Sequence, residues 1–259
     1  MVRFKMPAEI PAHPPSAVAP DSAVALRVSG IRKKFGTQIA LDGADLEIPE
    51  GTSFGLVGAN GAGKTTLIKC VLDLCSPGAG RIEIFGVEHR DPHARSAISY
   101  LPERFTPAYY LLGREFLETT AAIGGERFEA GRAVSLLGEL ELEPNALERP
   151  VRQYSKGMMQ KLGLVSCFLS RRSLYLLDEP MSGLDPASRI AVKGVLRRLR
   201  DEGKTLFFTS HVLADVEELC SSIAVLDHGR VRFHGSPADL CLQHGETHLE
   251  RAFLKCIKA

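Results

Sequence analysis

The sequence predicts an α/β fold: a mixed, centrally parallel sheet with an antiparallel β edge region and an α-helical insert subdomain. Three observations predict it. Short apolar runs of strand length alternate with amphipathic stretches, as in Ser173 to Leu177, Ala187 to Asp201 and Lys204 to Thr209. One such run, Ser53-Phe-Gly-Leu-Val57, stops at Gly58, where a glycine-rich loop opens into helical spacing. The stretch from about 104 to 165 then changes character and is nearly all helical in its periodicity.

Each element has a local cause. Residues 1 to about 23 are rich in Pro, Ala and Ser without periodicity, which predicts a disordered or loosely attached tail. Alternation in Val24-Ala-Leu-Arg-Val28 starts the first strand. A turn at Lys34 to Thr37 leads to a second strand through Ala44 to Ile48, and Pro49-Glu50-Gly51 is a tight-turn signal. Apolar residues at helical spacing run from Gly63 to about Leu74, where Pro77-Gly78-Ala79-Gly80 ends them. Arg81 to Phe85 and Ala97 to Leu101 read as strands, and Arg114 to Ile123 and Phe128 to Leu137 as helices of the insert. Asp185-Pro186 starts a helix, with Asp as N-cap and Pro in the first turn. Ile223 to Asp227 is a strand with a hairpin into Arg230 to His234, and Ser236-Pro-Ala-Asp239 is a capping box. The expected division is a tail over 1–23, a main domain over 24–235 with the insert at about 104–165, and a helical extension over 236–259. One core with one insert is expected.

The bulk numbers exclude several classes. A chain of 259 residues with 44% hydrophobic and 24% charged residues suits a soluble globular protein. A formal charge of +1 announces no basic face, so no nucleic-acid partner is expected. Six cysteines at 70, 75, 167, 220, 241 and 256 include no Cys-x-x-Cys pair, which favours small apolar core residues in a reducing compartment. There is no apolar run of roughly 18 residues, the length a membrane helix needs. Prolines at 7, 11, 14 and 15 interrupt the N-terminal stretch, so no signal peptide is expected and the chain should stay in the cytoplasm.

Chemistry concentrates in a few places. Gly58-Ala59-Asn60-Gly61-Ala62-Gly63-Lys64-Thr65, followed by Thr66, satisfies the phosphate-loop pattern in full, with a strand before it and a helix after it. Glycines let successive backbone N–H groups turn inward toward phosphate oxygens. The helix N-terminus adds a favourable dipole. Lys64 supplies a point charge for the β and γ phosphates, and the Thr65 hydroxyl suits Mg²⁺. A phosphate-loop NTPase core follows, but the loop alone does not choose among kinases, GTPases and ATPases.

Tyr175-Leu-Leu-Asp178-Glu179-Pro180 ends a buried strand with adjacent carboxylates, on the sheet edge where such folds bind ligands. Asp178 suits the Mg²⁺ shell, and Glu179 is placed to orient or deprotonate an attacking water. A solvated strand end is the bland alternative. His211 ends another buried strand on the same edge, where it can meet the γ-phosphate or simply face solvent. Tyr154-Ser155-Lys-Gly157-Met-Met-Gln160 opens a helix with Ser155 as N-cap, and ordinary capping is its alternative reading.

Together these segments resemble the nucleotide-binding subunit of an ATP-binding cassette transporter, over about residues 24 to 235. Gly58 to Thr65 is similar to the family's Walker A loop, Leu174 to Glu179 to Walker B, Tyr154 to Gln160 to the signature, Ser182-Gly-Leu-Asp185 to the D-loop and His211 to the switch histidine. Phe35 falls where the family has an aromatic that stacks on adenine. Glu103 stands where the family usually has glutamine, and the signature reads Ser-Lys-Gly-Met; both variants resemble the branch serving separate type-2 exporter permeases. The resemblance implies ATP and Mg²⁺ as cofactors. It implies Lys64, Glu179 and His211 as catalytic residues, and Thr65, Asp178 and Glu103 at the metal. It implies a nucleotide held by Phe35, the loop from Gly58 to Thr66, and Ser155, Gly157 and Asp185. Because one chain carries one loop and one signature, it implies a dimer, expected to be a homodimer, with two composite sites. It also implies a separate permease partner and a place at the inner face of the cell membrane. A soluble cassette ATPase acting on ribosomes or nucleic acid is the alternative. The apolar run Phe105 to Gly113 reads equally as insert core or as a docking surface.

Overall fold

The strands beside the glycine loop are buried at every residue, and that burial sets the architecture. In the computed structural model, which describes residues 23–258, β3 (Ser53–Val57), β7 (Leu174–Asp178) and β8 (Thr205–Thr209) lie parallel. Numbered in chain order, β6 (Ile98–Leu101) and β9 (Ser222–Asp227) extend the parallel set, and β10 (Arg230–Gly235) adds antiparallel to β9. The sheet order is β10-β9-β3-β8-β7-β6. The tail expected over 1–23 lies outside the described residues except for Ala23.

Successive side chains on a strand point to opposite faces, so a sheet buried on both faces needs two apolar layers. Phe54, Leu56, Leu174, Leu176 and Phe207 join one cluster, while Val57, Tyr175, Leu177, Leu206 and Phe208 join the other. The single core expected from sequence is therefore two clusters separated by the parallel sheet. The first is closed by a second, antiparallel sheet of order β2-β1-β4-β5, from β1 (Val24–Phe35), β2 (Gln38–Pro49), β4 (Ala79–Ile84) and β5 (Val87–Glu88). It also receives Leu67, Ile68 and Val71 of α1 (Lys64–Val71) and Ala94 of the short α2 (Pro92–Ser96).

Between β6 and β7 every regular element is helical. Here lie α3 (Gly113–Ile123), α4 (Ala130–Glu139), two 3₁₀ turns and α5 (Lys156–Leu169), with Phe116, Leu137 and Leu162 in the second cluster. That cluster also takes residues of α6 (Pro186–Asp201), α7 (Leu213–Leu219), α8 (Pro237–His244) and α9 (Leu249–Lys258). The expected caps form: Asp185 accepts from the Ser188 N–H at 2.9 Å, and Ser236 with Asp239 makes the capping box. The expected C-terminal helix is two helices, because Gly245 at φ 62 ends α8 in the left-handed region. Likewise α1 stops at Val71 rather than near Leu74, where Asp73 turns to φ 57.

The turn between β9 and β10 ties the layers together. His228 and Gly229 both have positive φ, as a tight hairpin turn requires. The Gly229 N–H donates to Ala62 O in the glycine loop at 2.9 Å, and Gly229 O accepts from Asp42 of β2 at 2.9 Å. A Cβ on Gly229 would lie 2.8 Å from both Ala40 O and the Leu41 Cα, which are backbone atoms without room to move. Gly229→Ala is therefore expected to destabilise the fold by about 2 kcal/mol or more, from left-handed strain plus this clash. Urea unfolding measures it, and a loss below about 0.5 kcal/mol, the range of neutral surface changes, would contradict the close packing.

Candidate functional site

The buried β3 delivers the chain to Gly58 at the carboxyl edge of the sheet, and α1 begins at Lys64. Close packing accounts for two glycines of the loop. A Cβ on Gly58 would sit 2.3 Å from Leu226 O, and one on Gly63, at φ 112, would sit 2.5 Å from Ala40 O. Gly61, at φ 82, has open space around it and serves the turn alone. Lys64 curls back, donating to Gly58 O at 2.8 Å and Ala59 O at 3.2 Å. Burial pushes its ammonium below the ordinary lysine value, while Glu179, Asp178 and Glu103 oppose the shift.

Asp178 is buried at the end of β7, and pairing places it opposite Thr209 of β8. One Asp178 oxygen accepts from the Thr65 hydroxyl at 3.1 Å, the other from the Thr209 hydroxyl at 2.6 Å. The Thr209 Oγ1 in turn accepts the Glu179 N–H at 2.9 Å. Glu179 has φ 51, which non-glycine residues seldom adopt. Its Oε2 lies 2.8 Å from Nδ1 of His211, so that ring nitrogen donates and Glu179 accepts. Phe35, half exposed at the end of β1, presents its ring beside Lys33, whose Nζ is 5.0 Å from the centroid.

A cavity of about 560 Å³ collects these groups: Phe35, Asn60, Gly61, Gly63, Lys64, Thr65, Thr66, Glu103, Asp178, Glu179 and His211 all line it. Gly58 and Ala62 shape the loop from beneath instead of lining the cavity, with Ala62 5% exposed. Ser155, Gly157 and Asp185 stand outside it. Ser155 caps α5, its hydroxyl accepting from the Met158 N–H at 3.2 Å. A Cβ on Gly157 would lie 3.7 Å from Gly183 O and 3.8 Å from Leu184 Cδ2, and Asp185 caps α6, its carboxyl held below the usual range by the backbone N–H and hydroxyl of Ser188. Gln38 and Ala40 also line the cavity and Thr209 braces it, none of them a predicted site residue; Ser182, which entered only as the first residue of the D-loop resemblance, lines it too. Thr209 carried a signal: a hydroxyl closing the Leu-Phe-Phe run two residues before His211.

The donor set fits the groups the family implies. A loop that excludes side chains at Gly58 and Gly63 and leads straight into a helix N-terminus has the shape of a phosphate cradle. Thr65 and Asp178 converge hard oxygen donors within 3.1 Å, which suits a small divalent cation that also keeps water and phosphate oxygens.

Such a loop facing carboxylates on adjoining parallel strands defines a phosphate-loop NTPase fold. Its family follows from relatives: residues 41–182 match the sequence profile of the ABC transporter family, and the chain belongs to that family. It is 37% identical to an uncharacterized ABC transporter ATP-binding protein of Nostoc sp., over 82% of this chain and 64% of that one. A daunorubicin resistance ATP-binding protein of Streptomyces coeruleorubidus is 36% identical over 87% of this chain and 72% of its own. A Nod factor export ATP-binding protein of Rhizobium sp. is 36% identical over 86% and 74%. The chain spans 64% and 56% of the lengths of two cyanobacterial relatives. Among solved structures, an ATP-binding subunit of an ABC transporter superposes with a TM-score of 0.81 at 30% identity, over 90% of this chain and 99% of that one. A dimeric cassette in a post-hydrolysis state bound to ADP and Pi shares the fold, with a TM-score of 0.74 at 22% identity over 82% of this chain and 98% of that one.

Thr209→Val keeps the shape but removes the donor to Asp178 and the acceptor for the Glu179 N–H. Unfolding free energy should fall by about 1–3 kcal/mol, the cost of orphaned buried polar groups, while Thr209→Ser stays near wild type. Equal stability of the Val and Ser variants in urea would show that the bridge carries no energy.

Proposed function

We propose that this chain is the ATP-binding and ATP-hydrolysing subunit of an export system, powering a separate membrane permease through ATP-driven dimerisation. The observation that carries the reading is the division of the site. Loop, carboxylates and histidine share one cavity, while Ser155 and Gly157 present a capped helix N-terminus outside it. A triphosphate lying in the loop is left open on one side, and the α5 N-terminus of a second copy has the chemistry to close it. A homodimer with two composite sites follows.

Within the site, loop N–H groups and Lys64 hold the β and γ phosphates, and Phe35 offers a stacking face for adenine. Asn60, Gly61, Thr66, Ser155, Gly157 and Asp185 complete the nucleotide contacts across the two copies. Thr65 and Asp178 would hold Mg²⁺, with Glu103 within its field; the ion neutralises phosphate charge when bound. Glu179 accepts a proton from water as the water oxygen attacks the γ-phosphorus, and ADP leaves. His211 holds the Glu179 carboxylate by its Nδ1–H, and its Nε2 can donate to the γ-phosphate when the ring is an imidazolium. Three carboxylates around one cavity disfavour the bare triphosphate, so hydrolysis should depend on the divalent ion.

The helical segment at about 104–165 is the proposed permease-facing part of a main domain over 24–235, with 236–259 as its extension. Export is supported by relatives named for daunorubicin resistance and Nod factor export. No helix among the described residues is long and apolar enough to cross a membrane. On the proposed reading the permease is a separate chain, with the cassette at the cytoplasmic face.

Glu179→Gln should bind ATP with near wild-type affinity, dimerise with it, and lose turnover by on the order of 100-fold or more, the scale of general-base catalysis. Steady-state ATPase assays with size-exclusion chromatography check this. Unchanged hydrolysis would remove Glu179 as the base.

A further inference from the structure

Glu179 is held in an unfavourable backbone conformation, and its neighbours show how. A left-handed φ of 51 on a side chain without special tolerance is unfavourable and persists only where the surroundings enforce it. On the strand side, the Glu179 N–H is held by Thr209. Its carbonyl accepts from the Ser182 N–H at 3.0 Å, and its carboxylate from His211. The remaining tether comes from α5. Gln160, 6% exposed, donates from Nε2 to Pro180 O at 3.0 Å. Proline has no N–H, so this carbonyl is the only backbone polar group that the buried Pro180 can pair. Only a donor satisfies it, which fixes the amide orientation of Gln160.

We propose that Gln160 is a positioning residue for Glu179: by holding the Pro180 carbonyl it keeps the strained turn closed and the carboxylate aimed into the cavity. The inference rests on the reading of Glu179 as the base. No other helix among the described residues makes a side-chain hydrogen bond to Pro180 O, and α5 is the helix whose N-terminus carries Ser155 and Gly157. The brace therefore also sets the carboxylate relative to the face that would meet the second copy.

Two substitutions separate positioning from simple packing. Gln160→Met fills similar volume without a donor, and Gln160→Glu can donate only while its carboxyl is protonated, which burial favours. Gln160→Met should lower kcat for ATP on the order of tenfold with KM within about twofold, because the base moves while the phosphate loop does not. In a Glu179→Gln background it should leave ATP-driven dimerisation unchanged. Turnover of the Gln160→Glu variant relative to wild type should climb as pH falls from about 8 to about 6, as the donor returns. That ratio carries the test alone if the Met variant does not fold. Wild-type kcat in Gln160→Met, kcat and ATP affinity falling together, or a Gln160→Glu ratio depressed equally at every pH would each overturn the positioning role. A wild-type chain without ATPase activity overturns it differently, by removing the reading of Glu179 on which it rests.

Discussion

Asp178 and Thr209 face each other across paired parallel strands, and the hydrogen bond between them anchors the polar groups at the sheet edge. Through Asp178 the pair reaches Thr65 on the helix after the glycine loop, and through Thr209 it reaches the Glu179 backbone. Three separate chain segments are thus locked into one polar chain at the boundary of an apolar sheet. A buried carboxylate survives there because both of its oxygens have donors. Shift the register of β7 against β8 by one residue and Asp178 points into a cluster of Leu and Phe instead.

The same edge explains why so much negative charge is tolerable. Asp178, Glu179 and Glu103 all act on the buried Lys64 ammonium, whose burial would otherwise favour its neutral form. Lys64 meanwhile occupies carbonyl groups of its own loop. On the proposed reading, the site is a balance between cationic loop and anionic strand ends, completed when phosphate and a divalent ion arrive together. Its other half lies on the α5 N-terminus and the 183–185 turn, which stand outside the cavity, with α5 tied to the Pro180 carbonyl by Gln160.

Much of this was legible in the sequence, for identifiable reasons. The loop from Gly58 to Thr65 is local, so its pattern sufficed, and the same holds for the caps at Ser155, Asp185 and Ser236. Fully buried strands announce themselves as apolar runs, and β3, β7 and β8 did. By contrast β1 runs to Phe35 although only Val24 to Val28 alternates, because register shifts between Val28 and Ile31 break the two-residue period. Thr209 and Gln160 were not legible as partners, since their roles depend on which strand lies opposite and which helix packs behind. Nor was the left-handed turn of Glu179, which tertiary contacts impose against local preference. Ser155 and Gly157 were grouped with the loop by resemblance, and in one chain they do not meet it.

That separation makes the composite site the central claim. Turnover per chain, measured across serial dilution at saturating Mg²⁺ and ATP, tests it most directly. If two copies complete each site, turnover per chain falls as dilution drives the dimer apart. Constant turnover per chain down to the lowest concentrations at which chromatography shows only monomer would contradict it, because one cavity would then suffice.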